Sequence, residues 1–186
     1  MKDLEGKATN KTNKRTIVLD TSAIVAGFDP FSISEEQYIV PMVEEEISGT
    51  SMVQIRFKTA IESGKLKVEF PEKFFADKVR ASATFLGDAF YLSEADIQVI
   101  ALALQLKTRG HSPLIATDDY SMQNVASQMD LEFISLATLG IRFRLKWIRY
   151  CPACYKRYLA DYISKRCEVC NTELKRKPFG KKTLNR

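Results

Sequence analysis

Short apolar runs alternate with amphipathic segments along the first 140 residues. The apolar runs are bounded by polar or turn-forming residues, which is typical of short buried strands. These predicted strands are TIVL (16–19), YIV (38–40), PLIAT (113–117) and LEFI (131–134), and KLKVEF (65–70) alternates like a fifth strand. Because strands and helices follow each other in turn, the pattern predicts an α/β domain with a mostly parallel sheet flanked by helices.

The segments between these runs have helical spacing and helix-stop signals. Helices are predicted from Pro41 to a stop at Gly49, over 51–63, over 72–86, after Ser93 and over about 120–129. The helix after Ser93 repeats apolar residues at helical spacing and is apolar almost all round. We therefore expect that helix to be buried.

The pattern changes at GIRFRLKWIRY (140–150), where apolar and cationic residues alternate one by one. Such a period of two predicts a strand with one apolar and one cationic face. Its charges are typical either of a solvated edge strand or of a surface for a polyanion. Residues 1–14 and 176–186 are polar or basic without apolar periodicity, so we expect a disordered tail and a mobile basic tail there.

All four cysteines lie in two C-x-x-C pairs, twelve residues apart: Cys151, Cys154, Cys167 and Cys170. This spacing predicts one structural Zn²⁺ in a zinc ribbon over residues 151–175, which is too short to fold without the metal. Two disulfides or four unrelated thiols are the alternative, but such scaffolds are typical of secreted chains. The first residues lack an apolar signal segment, and no run is long enough to span a membrane. We expect a cytoplasmic protein.

The charge is divided unevenly along the chain. Residues 141–186 contain fourteen Lys and Arg against three acids, whereas residues 1–140 contain fourteen against twenty. A basic C-terminal part predicts a polyanionic partner such as RNA. The candidate RNA contacts are Arg142, Arg144, Lys146, Arg149, Lys156, Arg157, Lys165 and Arg166. Tyr155 and Tyr158 are expected either to stack on bases or to pack the core of the ribbon.

The candidate chemistry in the acidic part belongs to carboxylates. Asp20 follows the first predicted strand, and Asp118 and Asp119 follow the PLIAT strand. Strand ends in a parallel sheet share one edge, so these acids are expected to line one crevice that suits Mg²⁺ or Mn²⁺. Each also has a structural interpretation as a helix cap. The one histidine, His111, is interpreted as a loop residue.

Two further acids have similar alternatives. Asp96 lies three residues after Ser93, so it is expected either to complete a capping box or to join the metal site. Glu46 is either an exposed helix acid or a ligand.

Four segments identify a family when they are taken in order. VLDTSA (18–23), VPMVEEEI (40–47), LSEADIQVIALAL (92–104) and IATDDYSMQNVA (115–126) resemble the motifs of PIN-domain ribonucleases. With the ribbon added, the chain resembles the Nob-type endonucleases, which trim the 3′ end of precursor small-subunit ribosomal RNA. The resemblance implies that one or two Mg²⁺ or Mn²⁺ ions are held by Asp20, Glu46, Asp96 and Asp119. Asp118 is left as a second ligand or a cap, and Thr117 and Ser22 are expected to orient the carboxylates.

The resemblance also implies an organisation and a function. We expect a PIN nuclease domain over 15–139, a basic linker or strand over 140–150 and then the ribbon. The implied activity is cleavage of precursor 16S rRNA within the pre-small ribosomal subunit, together with other assembly factors, leaving a 5′-phosphate and a 3′-hydroxyl. The alternatives are a PIN ribonuclease acting on another RNA and a non-catalytic RNA-binding assembly module.

Overall fold

The computed structural model describes residues 14–47 and 51–184, with eight strands and six helices in those ranges. The tail predicted over residues 1–14 is too long by one residue, because Lys14 begins the first strand. Residues 1–13 and the helix stop predicted at Gly49 lie outside the described residues. The strands are β1 (Lys14–Leu19), β2 (Glu36–Ile39), β3 (Leu66–Val68), β4 (His111–Ala116), β5 (Glu132–Ile134), β6 (Phe143–Tyr150), β7 (Arg157–Tyr158) and β8 (Lys175–Thr183). The helices are α1 (Thr21–Val25), α2 (Pro41–Glu46), α3 (Met52–Glu62), α4 (Lys73–Leu86), α5 (Glu94–Thr108) and α6 (Tyr120–Gln128).

The first five strands form one parallel sheet in the order β3-β2-β1-β4-β5. Val18 of β1 lies opposite Tyr38 of β2 on one side and Ile115 of β4 on the other. The predicted α/β architecture is therefore confirmed. Because the chain builds the sheet outward from β1 in one direction and then from β4 in the other, the order reverses between β1 and β4. Ligands of such sheets bind beyond the carboxyl ends of the strands at that reversal.

The core lies between this sheet and its helices. Val18, Leu19 and Ile115 of the central strands are fully buried, and so are Val99 and Ile100 of α5. The expected burial of α5 is confirmed, since ten of its fifteen residues are buried. Ser93 begins this helix with a capping box, so both its start and its burial follow from the local sequence.

The last three strands form a second, antiparallel sheet in the order β7-β6-β8. β6 is its central strand and pairs with β8 from Phe143 to Tyr150. The interpretation of β6 as an edge strand is thus wrong. The tail predicted to be mobile over 176–186 is instead part of β8 as far as Thr183. Pro178 is tolerated because β8 is an outer strand and the register shifts between Lys146 and Trp147, opposite it.

The second sheet is docked on α4 and α6. The Asn124 side chain of α6 donates to the Leu145 carbonyl at 2.8 Å and accepts from the Leu145 amide at 2.7 Å. Gly87, at the end of α4, has a φ of +83°, and a Cβ atom there would lie 3.0 Å from Trp147. Such close approach requires glycine. In the described ranges, no helix has both the length and the apolar character needed to cross a membrane.

Candidate functional site

Asp20 lies at the reversal point, directly after β1, and caps α1. Its Oδ2 atom accepts hydrogen bonds from the Ser22 hydroxyl at 2.5 Å, the Ser22 amide at 3.3 Å and the Thr117 hydroxyl at 2.9 Å. Thr117 directly follows β4, the neighbouring strand. The carboxylate is therefore fixed from both sides of the reversal, and its cap role is confirmed.

Glu46 approaches this point from the end of α2. Its Oε2 atom accepts a hydrogen bond from the Thr21 hydroxyl, and Thr21 is the residue after Asp20. Pro41 begins α2 in the first helical position, where its missing amide leaves no carbonyl unsatisfied. Among the three consecutive glutamates of this helix, Glu46 is the one that makes this contact to α1.

Asp96 adds a third acid from the first turn of α5. Its Oδ2 atom accepts from the Ser93 amide at 2.7 Å, while the Asp96 amide donates to the Ser93 hydroxyl at 3.1 Å. Burial raises the pKa of Asp96, and the negative charges of Asp20 and Asp119 raise it further against the opposing effect of these hydrogen bonds. Asp20 and Asp119 are thus close enough to Asp96 for their charges to raise its pKa.

The two adjacent aspartates after β4 have different surroundings. Asp119 caps α6, where its Oδ1 atom accepts from the amides of Ser121 and Met122 at 2.5 and 3.1 Å. Asp118 turns to the loop after β5, whose Leu136, Ala137 and Thr138 amides donate to it at 2.9–3.2 Å. Both oxygens of Asp118 accept hydrogen bonds. Burial would raise the pKa of Asp118, but these bonds outweigh it and hold the pKa below its usual value.

One property separates Asp118 from the other four acids. Asp20, Glu46, Asp96 and Asp119 each use one carboxylate oxygen to fix local structure, and no described residue donates to the other oxygen. A helix cap and a metal ligand are therefore compatible roles for the same side chain. The second oxygens are hard donors, the type that Mg²⁺ and Mn²⁺ prefer, so the donor chemistry of this set suits such an ion.

The four carboxylates lie around the β1–β4 reversal without converging on a point. Within 14–47 and 51–184, only the cysteines bring three or more potential ligand atoms within 4.8 Å of one another. Like charges in a crevice repel one another, and a divalent cation would favour their charged forms.

His111 lies far from this crevice. It is the first residue of β4, not a loop residue, and the acids lie beyond the last residue of that strand. Five steps along a strand span about 16 Å, so the only histidine of the chain does not reach the carboxylates.

The four cysteines form the second cluster. The Cys151 and Cys170 sulfurs are 3.3 Å apart, and those of Cys154 and Cys167 are 3.5 Å apart. All four sulfurs lie within 4.8 Å of one another, and all four thiols are free. The predicted four-cysteine cluster is confirmed, and its form is consistent with a zinc ribbon.

Two thiols of this cluster have strongly shifted pKa values. Burial would raise the pKa of Cys167, but the Tyr158 hydroxyl and two backbone amides donate to its sulfur and lower the pKa to about 6. A hydrogen bond from the Lys156 backbone amide lowers the pKa of Cys154, yet burial and the other thiols raise it to about 12. The pKa values of Cys154 and Cys167 are therefore shifted in opposite directions.

Tyr158 belongs to the core of this small unit. Its ring is buried and lies 4.4 Å from that of Tyr162, and its hydroxyl lies 3.0 Å from the Cys167 sulfur. Of the two interpretations of Tyr158, core packing is the one the structure supports. Tyr155 is exposed and has a φ of +61°.

The eight basic residues proposed as RNA contacts differ in their surroundings. Arg144, Arg149 and Arg166 donate to the carbonyls of Ser127, Ser164 and Asn171, and Lys156 pairs with Glu168. Lys146 lies over the Phe85 ring with its nitrogen 3.9 Å from the ring centre. Arg142, Arg157 and Lys165 are exposed.

Two buried polar residues of α6 connect the crevice to the second sheet and were missed from the sequence. Gln123 donates to the Thr117 carbonyl at 2.9 Å and accepts from the Ile141 amide at 2.9 Å, beside the Asn124 bonds to β6. Their signal was a pair of amides between the apolar Met122 and Val125. Thr21, which positions Glu46, was also missed.

Comparison with known proteins places this arrangement in a family. A family model described as the PIN domain of ribonuclease matches residues 17–106, which contain Asp20, Glu46 and Asp96. Endoribonuclease Nob1 of Methanocaldococcus jannaschii is 37% identical over 160 residues, which cover 86% of this chain and 76% of that protein. The chain belongs to the Nob1 endoribonuclease family.

Two further relatives are also named as ribonucleases, and one of them carries the Nob1 name. Endoribonuclease Nob1 of Methanothermobacter thermautotrophicus is 35% identical over 86% of this chain and 91% of its own length. A protein named Ribonuclease VapC1, from Thermoplasma acidophilum, is 31% identical over 91% of this chain and 81% of its length. As a Nob1-family chain with a PIN domain, the protein is an endoribonuclease, so the non-catalytic alternative is not supported.

Proposed function

We propose that the chain is a divalent-metal-dependent endoribonuclease that forms the mature 3′ end of small-subunit rRNA from its precursor. The observation that carries the proposed site is the set of four acids at the β1–β4 reversal, each with one oxygen to which no described residue donates. The family relationship supports the RNA substrate.

Asp20, Glu46, Asp96 and Asp119 would hold one or two Mg²⁺ or Mn²⁺ ions. Such an ion, when bound, activates water for attack on a phosphodiester and offsets the charge of the leaving oxygen. The protein's own contribution is to fix the ligands. Ser22 and Thr117 hold Asp20, and the hydroxyl of Thr21 holds Glu46, so the carboxylates are oriented before the substrate arrives.

In this proposal, Asp118 fixes the loop after β5 and is not a metal ligand. Its two oxygens accept hydrogen bonds from residues 136–138, which leaves it poorly suited as a ligand. No histidine is available as a general base, because His111 begins β4 at the opposite end from the acids. The carboxylates are therefore the groups of this site that could accept a proton.

The cysteine cluster would hold one Zn²⁺ ion as a structural centre. The donor set of four thiolates is that of structural zinc sites, and Tyr158 donates to the Cys167 sulfur as a supporting contact. We propose that residues 151–175 and the basic residues around them hold the precursor rRNA within the pre-small ribosomal subunit in the cytoplasm, with other assembly factors. The limits of the domains stay a prediction.

The test is a cleavage assay with Mn²⁺ and an RNA spanning the 3′ end of precursor small-subunit rRNA. The wild type should cut at the mature end and leave a 5′-phosphate and a 3′-hydroxyl. Asp20→Asn retains the helix cap but removes the charge, so it should lose cleavage and remain folded. Cleavage that survives Asp20→Asn would refute the site, and cleavage only of unrelated RNA would favour a different RNA substrate.

A further inference from the structure

A groove of about 450 Å³ lies between the end of α4 and the second sheet. Its aromatic lining consists of Phe85 of α4, Trp147 of β6, Tyr158 of β7 and Phe179 of β8. Phe179 is 62% exposed, and Leu159, also in the groove, is 75% exposed. Exposed apolar side chains that gather in a concave surface mark an interaction site.

Cations and one acid lie among these apolar residues. Lys146 lies over the Phe85 ring, and the exposed Arg157 of β7 lines the same groove. Asp161 is also part of the lining and offers a hydrogen-bond acceptor. Aromatic rings next to cations are the combination that binds single-stranded nucleic acid, since bases stack on the rings while the cations contact phosphates.

The charge of the surrounding sheet decides between an RNA and a protein occupant. β6, β7 and β8 belong to the part of the chain with fourteen Lys and Arg against three acids, so an anionic ligand is favoured. A volume of this size is in the range of small-ligand sites. An unpaired nucleotide supplies both the flat apolar face and the negative charge that the groove matches.

We propose that this groove binds an unpaired base of the substrate RNA, stacked against Phe179 and Phe85, with its phosphate near Lys146 and Arg157. The inference rests on the proposed RNA substrate and adds a site outside the carboxylate crevice. None of the four acids lines the groove, so a base held there would lie outside the cutting site and would help select which unpaired segment is presented to the acids.

Trp147 makes the groove directly observable, because it is the only tryptophan of the chain. The full-length protein, carrying Asp20→Asn to prevent cleavage, is titrated with a single-stranded RNA hexamer while Trp147 emission is recorded. The same hexamer without bases serves as the second titrant. The base-bearing strand should change the emission in a saturable way, and the abasic strand should bind more weakly.

Phe179→Leu in the same background should raise the dissociation constant about fivefold to a hundredfold. Phe70→Leu is the matched control, since Phe70 is 64% exposed, follows β3 and does not line the groove. It should leave the dissociation constant unchanged. Phe85→Leu provides a second wall variant, and thermal melts verify that all variants fold.

Several outcomes would overturn the inference. Equal affinity of Phe179→Leu and Phe70→Leu, equal binding of the abasic strand, or unchanged Trp147 emission at saturating RNA would each exclude base binding in the groove. The last result would leave the exposed apolar residues to a protein partner. If the wild type cuts precursor rRNA but the Trp147 emission does not change, base binding in the groove is refuted and the proposed function stands. If the Trp147 emission changes but no RNA is cut, the proposed function is refuted and base binding in the groove stands.

Discussion

The contact between Asp88 and Arg176 predicts how strongly the second sheet is fixed to the nuclease domain. Asp88 follows α4, and its side chain is 1% exposed, whereas that of Arg176 in β8 is 21% exposed. Their closest N–O distance is 3.3 Å. The Arg176 guanidinium also lies 3.9 Å from the Tyr91 ring centre and 3.7 Å from that of Trp147. Arg176→Met would retain much of the packing and remove the charge.

The expected loss of stability follows from the carboxylate that remains. Removing one partner of a buried ion pair costs about 3–5 kcal/mol because the other charge is left buried. Since Arg176 retains some exposure, we expect about 3 kcal/mol, or a melting temperature lower by about 6–12 °C for a chain of this size. The double variant Asp88→Asn/Arg176→Met leaves no buried charge and should recover most of that loss.

The Asp88–Arg176 pair also makes the stability loss of Arg176→Met depend on pH. Burial raises the pKa of Asp88 above its ordinary value of 3.8, the Asn124 hydrogen bond and Arg176 lower it, and the charge of Asp119 raises it. A raised carboxyl pKa means that the folded state favours the proton, so stability falls as pH rises from 3.8 through the folded-state pKa. Without Arg176 that pKa rises further. The loss caused by Arg176→Met should therefore be smaller at about pH 4.5 than at about pH 7.

Urea denaturation followed by circular dichroism at the two pH values measures these differences. Arg142→Met is the control, because Arg142 is exposed and its substitution should change the free energy of unfolding by less than about 0.5 kcal/mol. If the double variant is as unstable as Arg176→Met alone, the buried charge is not the cause of the loss and the reasoning is refuted.

Three further predictions concern the two clusters. Asp118→Ala should cost about 1–3 kcal/mol of stability, because it removes the hydrogen-bond acceptor of the loop after β5. Mn²⁺ binding, measured by calorimetry, should persist in this variant, and its loss would make Asp118 a ligand. Thr21→Val should lower Mn²⁺ affinity or cleavage rate about 10–100-fold by releasing Glu46, and an unchanged rate would show that the contact is dispensable. A zinc chelator should disorder residues 151–174 while the parallel sheet melts at its usual temperature, whereas one shared transition would show that the two sheets fold together.

Most of the parallel sheet could be predicted from the sequence because its signals are local. Short apolar runs, Pro41 in the first turn of α2 and the Ser93 capping box each act within a few residues. β8 could not be predicted in this way. Its residues Lys175–Thr183 are mostly basic and include Pro178, and they become a strand only by pairing with β6, about thirty residues earlier.

In the candidate site, too, local features could be predicted from the sequence and contacts between distant residues could not. The sequence predicts Asp20, Asp96 and Asp119 as caps or as ligands. The structure confirms the caps, each made by one carboxylate oxygen, and the ligand role stays a prediction. Asp118 differs from Asp119 because it accepts hydrogen bonds from the loop after β5, eighteen to twenty residues away. The neighbouring residues in the sequence therefore do not reveal this difference. The contact between Thr21 and Glu46 likewise joins residues on separate helices.

The central claim is that four acids at the β1–β4 reversal bind the ion that cuts RNA. Anomalous diffraction from crystals of the protein soaked in Mn²⁺ tests it most directly. We expect one or two Mn²⁺ peaks among Asp20, Glu46, Asp96 and Asp119, with none at Asp118. Mn²⁺ bound at Asp118 instead, or no peak in this crevice at a concentration that supports cleavage, would contradict it.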